Sequence, residues 1–191
     1  MNYKLFDIEG LVLLEPKVFS DERGFFFESF NEKKFNEIIG NKVKFVQDNH
    51  SFSKKNVLRG IHFQLPPFSQ SKLVRVIEGE VLDVVVDIRL GSPTFGHHVH
   101  KRLSSENKYQ LFIPRGFAHG FVVLSQFAIF SYKVDNYYSS KYDSGLAFND
   151  PALNINWLIP HNEILVSSKD SNHPCLDKLS DECIQFSYKK N

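Results

Sequence analysis

Lys72-Leu73-Val74-Arg75-Val76-Ile77-Glu78-Gly79-Glu80-Val81-Leu82-Asp83-Val84-Val85-Val86-Asp87-Ile88-Arg89 sets the architecture. Side chains of a strand point alternately to its two faces. From Val81 onward Leu82, Val84, Val86 and Ile88 fall on one face, while Asp83, Asp87 and Arg89 fall on the other with Val85 among them. Lys72 to Ile77 reads as a second strand, and Glu78-Gly79-Glu80 as a tight turn that pairs the two as a hairpin.

Outward from this pair, the same alternation predicts strands over Leu11–Val18, Gly24–Phe30, Lys44–Phe52, Val57–Phe63, His97–Leu103, Tyr109–Ile113, Phe117–Leu124 and Phe127–Val134. Pro66-Pro67, Gly91-Ser92-Pro93 and Pro114-Arg115-Gly116 punctuate them as turns. One helix is predicted at Asn31 to Gly40: Asn31 can cap its start, Phe35, Ile38 and Ile39 form an apolar stripe, and Gly40 supplies the stop. Many short strands separated by turns imply a mainly β sandwich or small barrel with a few short helices. The expectation is a single domain over residues 1–191, with a barrel core over about 5–150 and a wrap of turns and short helices over 151–191. The 19 Phe and 7 Tyr agree with this, because aromatic rings fit a pleated, half-buried surface.

The net charge of +1 gives no bulk attraction to nucleic acid or membrane, so an anionic ligand must be held by a local cluster. The amino terminus, Met-Asn-Tyr-Lys-Leu-Phe-Asp-Ile-Glu, carries charges where a signal peptide needs an apolar core, and the expected compartment is the cytoplasm. Cys175 and Cys183 fit no metal or catalytic pattern and read as free thiols.

Candidate chemistry lies on the strands. Val57-Leu58-Arg59-Gly60-Ile61-His62-Phe63-Gln64 sets Arg, His and Gln among apolar residues, so His62 is either a hydrogen-bonded structural group or a catalyst. Lys72, His119 and Tyr132 lie on other predicted strands, and in a barrel all four can project into one cavity. His119 shares a face with Phe117 and Phe121, and Tyr132 with Phe130 and Val134, which predicts a mostly apolar pocket with polar tips. Arg59 and His62 have opposite parity, so both reach one ligand only if a bulge intervenes, or else one of them serves a different site. His97-His98-x-His100 with His119 has the density of a metal site, but lacks the nearby carboxylate of a two-histidine, one-carboxylate centre. In Asp21-Glu22-Arg23-Gly24-Phe25-Phe26-Phe27-Glu28, Arg23 offers a fork of donors and Glu28 acceptors for hydroxyls, unless the run is only a turn entering core packing. Gln47-Asp48-Asn49-His50-Ser51 places more polarity in a strand than a sheet usually carries without a ligand, water or partner.

Taken together, Asp-Glu-Arg-Gly-Phe-Phe-Phe-Glu at 21–28, Gln-Asp-Asn-His-Ser at 47–51, Leu-Arg-Gly-Ile-His-Phe-Gln at 58–64, Gln-x-Lys-Leu-Val at 70–74, Ile-Pro-x-Gly-Phe-Ala-His-Gly-Phe at 113–121, Tyr-Lys at 132–133 and Asn-Asp-Pro-Ala-Leu at 149–153 resemble the dTDP-4-dehydrorhamnose 3,5-epimerase family over roughly Leu5 to Pro174. The resemblance implies a cupin-like β-barrel or jelly roll that needs no metal or other cofactor. It implies His62 as proton acceptor, Tyr132 as proton donor, Asp170 orienting the imidazole and Lys72 stabilising an enolate oxygen. It further implies that Arg23, Phe27, Glu28, Gln47, Asn49, Arg59, His119, Asp143 and Lys169 hold the nucleotide diphosphate or sugar, with Tyr138 stacked on thymine. Family members are dimers that exchange an amino-terminal strand, which would let Arg23 and Glu28 serve the neighbouring subunit. Tyr142-Asp143-Ser144 departs from the common His-Glu-Arg, and Phe148 from the common Trp, on the nucleotide side. The implied reaction is epimerisation of a dTDP-4-keto-6-deoxyhexose at C3 and C5. Other readings are epimerisation at C3 alone, a metal-dependent cupin using His98, His100 and His119, and a non-catalytic sugar-nucleotide binder.

Overall fold

The computed structural model describes residues 1–179 and 186–188. Its strands are β1 (Asn2–Leu5), β2 (Val12–Glu15), β3 (Val18–Asp21), β4 (Gly24–Phe27), β5 (Gln47–Lys54), β6 (Leu58–Gln64), β7 (Lys72–Glu78), β8 (Glu80–Asp87), β9 (His98–Ser104), β10 (Gln110–Ile113), β11 (Phe117–Val123), β12 (Phe127–Val134) and β13 (Asp143–Gly145). The α-helix is α1 (Glu32–Ile39). Asn31 caps it by accepting from the Lys34 N–H at 3.1 Å, and Gly40 ends it in the left-handed conformation at φ 68°, both as predicted.

Two antiparallel sheets make a cupin-like jelly roll: β1-β2-β10-β7-β12-β5, and β13-β6-β11-β8-β9. A separate ribbon, β3–β4, pairs only with itself. The predicted strand Leu11–Val18 is therefore two strands, split at Pro16: β2 is largely buried and β3 exposed.

The predicted hairpin between Lys72–Ile77 and Val81–Arg89 does not form. β7 and β8 belong to different sheets, and Gly79 is the corner where the chain steps from one to the other. Gly79 sits at φ +84°, and a Cβ there would overlap the Phe127 carbonyl. The Glu80 N–H is taken by Ser125 Oγ at 2.8 Å instead of by a β7 carbonyl. A positive-φ glycine is needed equally by a hairpin turn and by a sheet corner, which is why the local signal was ambiguous.

Three apolar layers follow. Between the sheets lie Leu13, Val74, Leu111 and Phe130 from one and Val81, Val85, Leu103 and Phe121 from the other. Outside the six-stranded sheet, Phe35 of α1 covers Val12, Leu14, Leu73 and Phe112. Outside the five-stranded sheet, Leu82, Val84, Val86 and Ile88 are covered by Leu153, Ile155, Trp157, Ile164 and Leu179 of the wrap. β8 is thus buried on both faces, and Asp83 and Asp87 on its inner face are fully inaccessible. Trp157 Nε1–H donates to the Phe148 carbonyl at 2.8 Å, fixing the wrap at its bulkiest residue.

Cys175 has no disulfide partner among the described residues, and Cys183 lies outside them. No helix among the described residues is long and apolar enough to cross a membrane.

Candidate active site

The open end between the sheets holds a cavity of about 580 Å³, lined among others by Asn49, Arg59, His62, Lys72, His119 and Tyr132. Strand register explains the convergence. His119 on β11 is the direct partner of His62 on β6, so the two share a face. Tyr132 on β12 faces Asn49 on one side and Val74 on the other, and Lys72 shares the Val74 face two residues away. The parity conflict of Arg59 and His62 is resolved by a bulge: β6 takes three steps from Arg59 to His62 while β11 takes two from Phe121 to His119. The bulge depends on Gly60 at φ +137°, where a Cβ would lie 2.5 Å from Gly120 Cα.

His62 Nε2 is 2.9 Å from Asp170 Oδ1. Burial tends to raise the Asp170 carboxyl pKa, but hydrogen bonds and charge from His62, with the Gly60 N–H and Ser167, outweigh it and hold the value below the ordinary range. An ionised carboxylate only accepts, so Nε2 carries the hydrogen of this bond and neutral His62 leaves Nδ1 as a free base. Gly60 N–H donates to the other carboxylate oxygen at 3.2 Å, and Asp170 N–H to Ser167 Oγ at 3.1 Å. Asp170 arrives on a short 3₁₀ turn, Asp170–Asn172, of the carboxyl-terminal wrap.

A second histidine–carboxylate pair lies deeper. His119 Nε2 is 2.8 Å from Asp83 Oδ2, and Asp83 Oδ1 is buried without a hydrogen-bond partner among the described residues. Burial lowers the His119 pKa against the pull of Asp83, and raises that of Asp83 against the pull of His119 and Lys72. Sequence reasoning missed Asp83 as a site residue; its one signal was a carboxylate set between Leu82 and Val84 on β8, which also carries Asp87. Burial pushes the Lys72 ammonium down to about 8, with the charges of Asp143 and Asp83 opposing. Burial raises the Tyr132 phenol, so it holds its proton at neutral pH and can donate it.

Arg59 is braced by Ser53 Oγ at 2.9 Å and the Phe52 carbonyl at 3.3 Å. Gln47 Nε2 donates to Asn49 Oδ1 at 2.8 Å, and Gln47 Oε1 accepts from the Tyr138 N–H at 3.4 Å. Asp143 Oδ2 accepts from the Tyr138 hydroxyl at 2.9 Å and pairs with Lys169. Despite its short side chain, Asp143 therefore ties three of the predicted nucleotide-side residues into one group.

Arg23, Phe27 and Glu28 do not reach the cavity of their own chain. Arg23 pairs with Asp21, Glu28 with Lys34 at 2.8 Å, and Phe27 packs on Phe25. The cause is the ribbon's isolation: β3–β4 bonds to neither large sheet and leaves Phe19, Phe25 and Phe26 54–69% exposed. His98 and His100 also stand apart, since they pair with Val86 and Val84 and share their outer face, whereas His119 pairs with Val85 on the inner one. Those three histidines cannot share a metal.

A family model described as dTDP-4-dehydrorhamnose 3,5-epimerase matches residues 6–178. The chain belongs to that family. Among members of this epimerase family, the chain is 58% identical over 172 residues to the dTDP-4-dehydrorhamnose 3,5-epimerase of Salmonella typhimurium, covering 90% of this chain and 93% of that protein. The dTDP-6-deoxy-D-glucose-3,5-epimerase RmlC of Legionella pneumophila, solved in complex with dTDP-4-keto-L-rhamnose, superposes with a TM-score of 0.95 at 46% identity, covering 99% of each chain. ChmJ of Streptomyces bikiniensis, a 3'-monoepimerase solved with dTDP-quinovose, superposes with a TM-score of 0.83 at 33% identity, covering 90% of this chain and 86% of that one.

Proposed function

We propose that the protein is an isomerase that converts dTDP-4-dehydro-6-deoxy-D-glucose into dTDP-4-dehydro-L-rhamnose by inverting C3 and C5. The observation that carries the reading is His62, hydrogen-bonded to ionised Asp170, facing the same cavity as Tyr132 and Lys72. The C4 ketone of such a sugar acidifies the hydrogens on C3 and C5. His62 Nδ1 takes one of these, forming the enolate and an imidazolium that Asp170 stabilises. Lys72 supplies positive charge to the enolate oxygen. Tyr132 returns a proton to the carbon from the other side of the ring. His62 and Tyr132 stand on different sheets, which supports delivery to opposite faces of a sugar held between them.

On this reading Arg59, His119, Gln47, Asn49, Asp143 and Lys169 bind the sugar diphosphate, and Tyr138 the thymine. Arg23, Phe27 and Glu28 act in the site of a second subunit, as the exposed aromatic ribbon would dock there in a homodimer with exchanged amino-terminal strands. The chemistry asks for no cofactor, nucleic acid or membrane, and its soluble sugar nucleotide suits a cytoplasmic enzyme.

The reaction is tested by incubation with dTDP-4-keto-6-deoxyglucose in heavy water. Deuterium at both C3 and C5 is expected. Deuterium at C3 alone would assign the C3-only reaction of ChmJ's type, and none would overturn the proposal. Lys72 makes a second expectation. If its ammonium must be charged, kcat/KM falls as pH rises through about 8, because kcat/KM reports groups of the free enzyme. In Lys72→Arg, whose cation persists, that falling limb moves up or vanishes, which a pH–rate series measures directly.

A further inference from the structure

His173 has no part in the proposed reaction, yet it is built against the catalytic pair. Its side chain is 10% exposed, and its Nε2 is buried with no hydrogen-bond partner among the described residues. That nitrogen lies 3.9 Å from Asp170 Oδ1, the same oxygen that His62 Nε2 meets at 2.9 Å. The placement follows from the local chain. In 3₁₀ geometry residues three apart eclipse, so the turn beginning at Asp170 brings His173 onto the same side.

We propose that His62, Asp170 and His173 form an inhibitory zinc site. Their three ligand atoms lie within 4.8 Å of one another. A tetrahedral zinc with bonds of about 2.0–2.1 Å needs ligand atoms roughly 3.3 Å apart, so the two spacings at Asp170 Oδ1 bracket the requirement. Two imidazoles and one carboxylate form a donor set that zinc takes, with the fourth position left for water. The second Asp170 oxygen is already held by the Gly60 N–H, the kind of outer contact that fixes a ligating carboxylate.

The inhibition rests on the reading of His62 as the base. Zinc takes the Nε2 lone pair of the other neutral tautomer, so the single ring hydrogen of His62 moves through solvent from Nε2 to Nδ1 and no net proton is released. Nδ1 then has no lone pair with which to take a proton from C3 or C5. No redox step or second reactant is involved.

The test uses the whole protein after chelator treatment, titrated with zinc against a chromophoric chelator, with turnover followed in parallel. One zinc per chain is expected, with turnover falling as the site fills. His173→Ala, and His173→Gln as a variant that keeps the bulk, are expected to bind zinc at least about 100-fold more weakly, since loss of an outer contact alone costs about 10–100-fold. Both should keep metal-free turnover within a few-fold of the wild type and resist zinc. A His98→Ala, His100→Ala double variant should bind as the wild type does. Absence of stoichiometric binding, or binding unchanged in both His173 variants, overturns the site, as does loss of binding in the His98/His100 variant. Binding that depends on His173 but leaves turnover intact overturns the inhibition. Because the chelator competition needs no turnover, a protein with no epimerase activity would overturn the proposed reaction without touching the zinc result.

Discussion

His62→Ala is expected to lower turnover about 10²–10⁴-fold, the range that a positioned acid–base group contributes, while dTDP affinity stays within a few-fold of wild type. The separation follows from the geometry. His62 meets Asp170 and opens onto the cavity, whereas Gln47, Tyr138, Asp143 and Lys169 form a separately bonded group. An interaction made in the transition state and not in the ground state is lost from kcat more than from binding. Single-turnover kinetics and calorimetry with dTDP measure the two quantities independently. Deuterium wash-in from heavy water should vanish with turnover, since no other described group supplies a neutral base oriented by a carboxylate within hydrogen-bond distance of the cavity lining except the deeper His119–Asp83 pair. Wash-in that persists in His62→Ala and disappears in His119→Ala would transfer the base to that pair. Loss of dTDP binding with exchange intact would contradict the assignment outright.

Gly60→Ala is expected to destabilise the fold by about 3 kcal/mol or more. Backbone at φ +137° costs a side-chain-bearing residue on the order of 1–3 kcal/mol, and forcing a methyl into a packed site adds about 1–3 kcal/mol. The obstruction is backbone: Gly120 Cα at 2.5 Å and the His119 carbonyl at 3.1 Å, neither of which can turn aside as a side-chain tip could. β6 and β11 must therefore separate, and His62 and His119 are direct partners across that seam. Urea denaturation should show the lower midpoint, and any folded fraction should lose kcat as well. A Gly60→Ala protein with wild-type stability and turnover would show that the bulge is not what aligns Arg59 with His62.

The two losses differ in how they could be foreseen. Strand positions and α1 were legible because alternation, the Asn31 cap and the Gly40 stop are local signals. The partner of each strand was not. Glu78-Gly79-Glu80 has the composition of a hairpin turn, but β7 and β8 part there into two sheets, and pairing is a long-range property that a turn's composition does not encode. The parity of Arg59 and His62 leaves two outcomes, a bulge or separate sites, and the register shift between β6 and β11 decides for the bulge. Asp83 and His173 escaped notice for opposite reasons. Asp83 looked like the solvent side of a half-buried strand until the wrap covered the other face. His173 lies in an aperiodic stretch where only the fold shows that it backs onto His62, with ring centroids 5.5 Å apart. The wrap itself, from Leu153 to Leu179, has no periodicity to read, since its apolar residues answer to the β-surface beneath rather than to a helix or strand of their own.

That wrap also has a consequence for how the protein is made. Chains emerge from the ribosome amino-terminus first, and their early segments can begin to fold before the rest is synthesised. Among the described residues the last of the thirteen strands ends at Gly145, so both sheets can be complete while Leu165, Val166, Ser167 and Asp170, which close one wall of the cavity, are still unsynthesised. Leu165, which bridges to Val57 just before β6, and Asp170 five residues later must dock after the sheets have formed. The nascent barrel would thus hold a histidine without its partner, and catalytic competence would arrive as a late, discrete event in synthesis.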